Sequence, residues 1–212
     1  MYFGFEHTTL TGGEPLMRRD IIDIAEKIKR NFGKVTLTTN GLLLMEKTYL
    51  AKFLPDFLEY CKQIELFDVY IPILSSHPKL RLRKRGDSLE ITKKTLVDKK
   101  DSSQQNEQTI DLTKDEFEEL LKVGGKKIRK IRHYFKYKGR EVEIDVFKDD
   151  LFGLVLIDVE FDCVEEKNKF KIPDFCLVEV TQEDFLAGGM LCGKTYQDIE
   201  ENLIKFGYRK LE

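Results

Sequence analysis

Polar and apolar residues alternate with period two along most of this chain, and such alternation sorts side chains onto the two faces of a strand. The clearest stretch is residues 79–95, KLRLRKRGDSLEITKKT. Arg81, Arg83 and Arg85 share one face, and Leu80 and Leu82 take the other. A turn at Arg85-Gly86-Asp87-Ser88 leads to a second strand, where Glu90, Thr92 and Lys94 oppose Leu89 and Ile91. The same rule sets Glu107, Thr109 and Asp111 against Ile110 and Leu112, and Lys130 and Arg132 against Ile131. It sets Glu141, Glu143 and Asp145 against Val142, Ile144 and Val146. Asp158 and Glu160 oppose Val155, Ile157, Val159 and Phe161, and Glu179 opposes Val178 and Val180. Strands are therefore predicted at 45–51, 64–73, across the 79–95 hairpin, and at 107–112, 127–137, 140–147, 154–161 and 177–181, with a second hairpin turn at Lys138-Gly139.

Helical spacing occurs in fewer places. Ile21, Ile22, Ile24, Ala25 and Ile28 form an apolar stripe that predicts a helix over 17–31. Strands at 7–11 and 35–39 flank it, which makes one βαβ unit, too small to bury a core alone. Thr113 caps a helix to about residue 122, with Glu116 in capping-box position. Thr195 caps another to 206, and Gly207 follows as its stop. Short helices are expected at 55–62 and 165–170, and DKKDSSQQN at 98–106 reads as a polar loop. The fold class is α+β, with a division into residues 1–43 and 44–212.

Composition changes this picture in one respect. Of 212 residues, 35% are charged and 41% hydrophobic, and the net charge is −2, so no global field recruits nucleic acid. The charge is instead segregated: residues 79–100 are strongly basic, whereas 141–166 hold ten acids and one lysine. An open sheet could turn such faces to water. A closed antiparallel barrel would instead gather them around one lumen, where they need counter-charges, metal ions or an anionic ligand. The four cysteines lack zinc spacing and fit reduced thiols of a cytoplasmic protein. No apolar run is long enough to span a membrane, and the N-terminus is not built as a secretory signal.

LTGGEPLMRRDI followed by TLTTNG resembles the early segment of a radical S-adenosylmethionine barrel. The resemblance implies that Gly12, Gly13, Glu14 and Pro15 correspond to the turn that touches the cofactor's methionyl amino group. The family's CxxxCxxC motif should precede this turn, and no cysteine does. Three thiolates hold the cluster, so no iron–sulfur cluster is expected and the segment reads as a fused remnant or an artefact of gene calling.

The later stretches LRLRKRGDSLEITKK, IRKIRHYF, EVEIDVF, GLVLIDVEFD and LVEVT resemble, in order and spacing, the CYTH family of triphosphate tunnel metalloenzymes. The resemblance covers residues 44–212. It implies an eight-stranded antiparallel barrel whose basic residues hold a triphosphate and whose carboxylates hold Mg²⁺ or Mn²⁺. Carried over residue by residue, the substrate-binding set is Arg81, Arg83, Lys94, Lys130 and Arg132. The metal set is Glu46, Glu107, Glu143, Asp145, Asp158, Glu160 and Glu179, and Lys94, Arg132 and Glu160 are the catalytic candidates. Alternation favours Lys94 over Lys93. The family's opening ExExK is incomplete here: Glu46 keeps the second acid, but Leu44 and Thr48 stand at the places of the first Glu and the Lys. The implied activity is metal-dependent hydrolysis of a small-molecule triphosphate. A class IV-type adenylyl cyclase and a non-catalytic phosphate-binding module are the alternatives. Neither nucleic acid nor membrane is an expected partner. His7, His77 and His133 read as ordinary residues.

Overall fold

The computed structural model describes residues 7–10, 24, 26–28, 30, 34–37, 42–98 and 101–212. Strands β1 (His7–Leu10) and β2 (Lys34–Leu37) pair in parallel, His7 opposite Lys34 through Leu10 opposite Leu37. Parallel neighbours require a crossover connection, and Ile24, Glu26, Lys27, Ile28 and Arg30 between them are helical. The GGEP turn at residues 12–15, Gly33 and the Asn40-Gly41 turn lie outside the described residues.

Eight longer strands follow: β3 (Leu42–Ala51), β4 (Lys62–Ile71), β5 (Leu80–Arg85), β6 (Ser88–Asp98), β7 (Asp101–Asp111), β8 (Lys126–Tyr137), β9 (Arg140–Phe147) and β10 (Val155–Phe161). The sheet runs β10-β9-β8-β4-β5-β6-β7-β3, and β3 pairs back onto β10. Every one of these pairings is antiparallel. The result is the closed eight-stranded barrel that alternation and the CYTH resemblance both point to, and closure leaves the ring without a free edge. A ninth strand, β11 (Cys176–Glu179), pairs with β3 at Tyr49–Ala51, on the edge that β7 occupies at Leu42–Met45.

Helices cover the outer apolar faces. They are α1 (Lys114–Leu121), α2 (Val164–Lys169), α3 (Gly188–Leu191) and α4 (Tyr196–Lys205), with a 3-10 turn at Asp56–Tyr60. Both predicted capping residues act as caps: the Thr113 hydroxyl accepts from Glu116 N–H, the Thr195 hydroxyl from Asp198 N–H, and each acid returns the bond. Phe117 of α1 packs on Val69, Ile71 and Leu82. Phe57, Phe135 and Phe175 extend a second core over Val142, Ile144, Ile157 and Val159. The third core joins α4, through Ile199 and Leu203, to residues that end the inward face of four strands: Leu50, Tyr70, Phe147 and Leu156. Val180, Leu186 and Leu191 pack there too, so one end of the barrel has an apolar floor.

The polar loop expected at 98–106 is not a loop; from Asp101 onward it belongs to β7. Its backbone is claimed by β6 on one side and β3 on the other. Its polar side chains also find partners. Ser103 accepts from Lys167 Nζ at 2.5 Å, and Gln105 donates to Glu46 at 3.0 Å. Turn-like composition loses when both neighbouring strands supply partners.

Tyr208 ties the C-terminal tail to this core. Its buried hydroxyl donates to Gly153 O and accepts from Val155 N–H, both at 2.8 Å. Tyr208→Phe leaves a buried N–H unpaired and should cost about 1–3 kcal/mol. In urea the midpoint should fall with the slope unchanged; an unmoved midpoint contradicts this role.

Candidate active site in the barrel lumen

The inward faces enclose a cavity of about 360 Å³. Strand register decides what meets inside it. Asp145 lies opposite Arg132, Glu143 opposite Asp158, Glu46 opposite Glu160 and Lys94 opposite Glu107. All five predicted cations, Arg81, Arg83, Lys94, Lys130 and Arg132, line the cavity. So do the acids Glu46, Glu107, Glu143, Asp145, Asp158 and Glu160. Lys93 is exposed on the outer face, as alternation expects. Glu179 does not join the set: it accepts from Lys47 Nζ at 2.9 Å and from Thr181 Oγ1 at 3.0 Å. Lys47 neighbours Glu46 on β3 but takes the opposite face, so Glu179 stands outside the lumen. Thr48 faces inward, and its hydroxyl donates to Asp158 at 2.7 Å.

The cations and acids already neutralise one another in part. Arg83 makes a bidentate pair with Asp68, Nε and Nη2 each 2.7 Å from a carboxylate oxygen, and both residues are buried. Asp145, also buried, accepts from Arg132 Nε and Nη2 at 2.7 Å and from Lys130 Nζ. Arg132 further meets Glu143 and, at 3.8 Å, Asp158. Lys94 Nζ lies 3.1 Å from Glu107 and 3.8 Å from Glu46. Asp145 is thus a counter-ion of two cations, which disfavours it as a metal ligand. Arg81 differs from its neighbours: its Nε is buried and has no hydrogen-bond partner.

Asp68 is the residue that the sequence reading missed. It sits inside FDVYI, and its parity on β4 is that of the inward face. Tyr70, Gln105 and Arg85 also line the cavity, as does the segment from Val180 to Leu191. His77 borders it, whereas His133 faces outward, its Nδ1 3.2 Å from Leu58 O.

The two signs of charge titrate differently. Burial opposes ionisation of Asp68, yet Arg83 and Arg81 hold its carboxyl down at about 2. Burial depresses Lys130 although Asp145 supports its charge. Burial, then Glu143 and Glu46, push Glu160 up to about 7. Burial also raises Glu46 and Glu143, with neighbouring carboxylates adding to the effect. Glu46, Glu143, Asp158 and Glu160 therefore form an anionic cluster on three adjacent strands, short of positive charge. Among the described residues no three such groups converge on one point as the side chains stand. Arg132 lies between Glu143 and Asp158. The donor chemistry, carboxylate oxygens in surplus, nevertheless fits a hard divalent cation.

A raised acid pKa has a definite sign. Between the ordinary glutamate range and about 7, native Glu160 binds more protons than the unfolded chain. Its contribution to stability is present at low pH and lost as pH rises through the folded value. Without divalent cation, the urea midpoint should fall between about pH 5 and pH 8. Glu160→Gln should flatten that fall, and added Mg²⁺ should reverse it. A midpoint that rises over this window contradicts the clustered-acid description.

Comparisons with known proteins fall on both parts of the chain. The family model of the radical SAM superfamily matches residues 2–123. The probable GTP 3',8-cyclase of Thermoplasma volcanium is 45% identical over 51 residues, which is 24% of this chain and 16% of that protein. The chain thus spans under a fifth of the length of such curated relatives. Among solved structures, the hypothetical protein NE1496 is 26% identical with a TM-score of 0.54, covering 72% of this chain and 99% of that one. The inorganic triphosphatase NE1496 gives 25% identity and a TM-score of 0.53 over 71% of this chain and 95% of that one. The radical SAM match extends past the parallel β1–β2 pair, and from Leu42 onward the matched residues are antiparallel barrel strands and α1. The chain belongs to the radical SAM superfamily through the model match over residues 2–123, and its strands from Leu42 onward close into the CYTH-type tunnel barrel found in NE1496.

Proposed function

We propose that residues 44–212 act as one unit that binds a small-molecule triphosphate in the lumen and hydrolyses it with a divalent cation. The observation that carries this reading is the convergence of five cations on one cavity, with the Arg81 Nε–H buried and unpaired. A buried donor without a partner costs free energy, and a phosphate oxygen is the acceptor that a guanidinium fits best. That the similarly folded NE1496 is described as an inorganic triphosphatase supports the same reading.

The chain's own residues divide the work. Arg81 and Lys94 on neighbouring strands bind and align phosphate oxygens. Asp68 and Asp145 orient Arg83 and Arg132, so these guanidiniums meet an arriving anion without reorganising. Lys130, its charge weakened by burial, gains a partner when phosphate enters. Glu46, Glu143, Asp158 and Glu160 would hold Mg²⁺ or Mn²⁺, which polarises the phosphoryl group and lowers the pKa of bound water. Arg132 would then release Glu143 and Asp158 and turn to phosphate. Thr48 cannot supply the charge of the lysine that the family carries at its place, which leaves Lys79, Lys94 and Lys130 as the ammonium groups that line the cavity.

Product analysis with tripolyphosphate and ATP, each with Mg²⁺ or Mn²⁺, tests this and separates hydrolysis from cyclisation. Turnover should stop with EDTA, and Glu160→Gln should abolish it. Arg81→Ala should lower kcat/KM by roughly 10- to 100-fold, the equivalent of one charge-assisted contact. Arg83→Ala is the poorer probe, because it leaves Asp68 buried and unpaired and costs about 3–5 kcal/mol of stability. Binding with no turnover under any metal supports a binding module instead.

We further propose that residues 1–43 hold no iron–sulfur cluster of their own, because they contain no cysteine and a cluster is held by thiolates. Anaerobic reconstitution should yield no stoichiometric iron and sulfide, and a spectrum of a bound cluster overturns this.

A further inference from the structure

The two ends of the lumen are unlike. At one end, Leu50, Tyr70, Phe147 and Leu156 meet Leu186 and Leu191. The fit there is close: a Cβ at Gly188 would come within 2.0 Å of the Tyr70 hydroxyl, and one at Gly189 within 2.3 Å of Pro78 O. The inward faces at the opposite end are not filled in this way.

At that opposite end the inward face of β8 continues beyond Arg132 to Tyr134 and Lys136. Tyr134 lies opposite Glu143 of the lumen on one side and opposite Lys62 on the other. Lys62 Nζ sits over its ring, 5.7 Å from the centroid. The ring is half-buried, while Lys62 and Lys136 are exposed. An aromatic ring with the Lys62 ammonium over one face and the exposed Lys136 beyond it therefore stands just past the residues that line the cavity, one inward position from Arg132, the cation that would hold phosphate. Hydrolysis of inorganic triphosphate has no use for an aromatic ring there.

We infer that Tyr134, with Lys62 and Lys136, forms a stacking ledge for the base of a nucleoside triphosphate whose phosphates enter the lumen. This rests on reading the lumen as a triphosphate site. A base of any identity has a π-face to stack on the ring face that Lys62 does not cover. Tyr134 is a specificity-determining residue in this account, and tripolyphosphate, lacking a base, does not touch it.

The test compares ATP and GTP with tripolyphosphate on the full chain. Tyr134→Ala should lower kcat/KM for the nucleotides roughly 10-fold, through KM, and leave tripolyphosphate within about two-fold. Tyr134→Phe keeps the ring and should match the wild type on all three. Equal losses on nucleotides and tripolyphosphate, or no loss on nucleotides, overturn the ledge while leaving the triphosphatase reading intact. Should the wild type turn over none of them, that reading fails and the comparison moves to calorimetric binding. The ledge then stands only if Tyr134→Ala weakens nucleotide binding alone, and it falls if no triphosphate binds.

Discussion

Charge pairing inside a closed barrel is the constraint on which this structure depends. Once eight strands close, most inward ionic groups are withdrawn from bulk water and must find a partner, while Arg85 and Glu160 keep an exposed side. Register supplies the partners: Arg132 and Lys130 converge on Asp145, Arg83 clamps Asp68, and Lys94 bridges Glu107 and Glu46. A shift of one residue in β8 or β9 would turn these side chains outward and bring Ile131 and Ile144 into the lumen. The apolar residues alternating with them then have one place left, the outer surface, where α1 and the aromatic cluster around Phe175 cover them, while α4 packs against the apolar end of the barrel. The helices follow from the charges.

The pairing is uneven, and the unevenness gives the lumen its chemistry. Towards the apolar floor the charges are satisfied and rigid, with Asp68 and Asp145 held fully ionised by guanidinium groups. Towards the open mouth, Glu46, Glu143 and Glu160 crowd one another, and all three resist ionisation. Arg81, opposite Tyr70 of the floor, keeps an unused donor. A ligand that is anionic, and that brings its own cation, would relieve both ends of this imbalance at once.

Much of the barrel was legible because period-two alternation is a local signal repeated on strand after strand. It placed Lys94 inward and Lys93 outward, and it grouped Arg81 with Arg83 without any knowledge of neighbours. What it could not give was pairing across the sheet. Asp68 and Arg83 are partners fifteen residues apart, and a single acid within FDVYI does not announce that an arginine will reach it. The strand at 101–111 was hidden for a related reason, since SSQQN is turn-like until Glu46 and Lys167 satisfy it. Glu179 faces away because β11 extends the wall along the β3 edge that β7 leaves, where Val178 lies opposite the inward Leu50 and Glu179 opposite the outward Tyr49. The N-terminal motif is specific as a sequence, and residues 12–15 lie outside the described residues.

The most direct measurement is a calorimetric titration of the full chain with tripolyphosphate, with and without Mg²⁺, at two salt concentrations. If the lumen is an anion site completed by a cation, binding is one-to-one, tightens with Mg²⁺ and weakens with salt, and Arg81→Ala removes most of the affinity. If the lumen is a self-neutralised structural core, no heat of binding appears under any of these conditions, and the account fails.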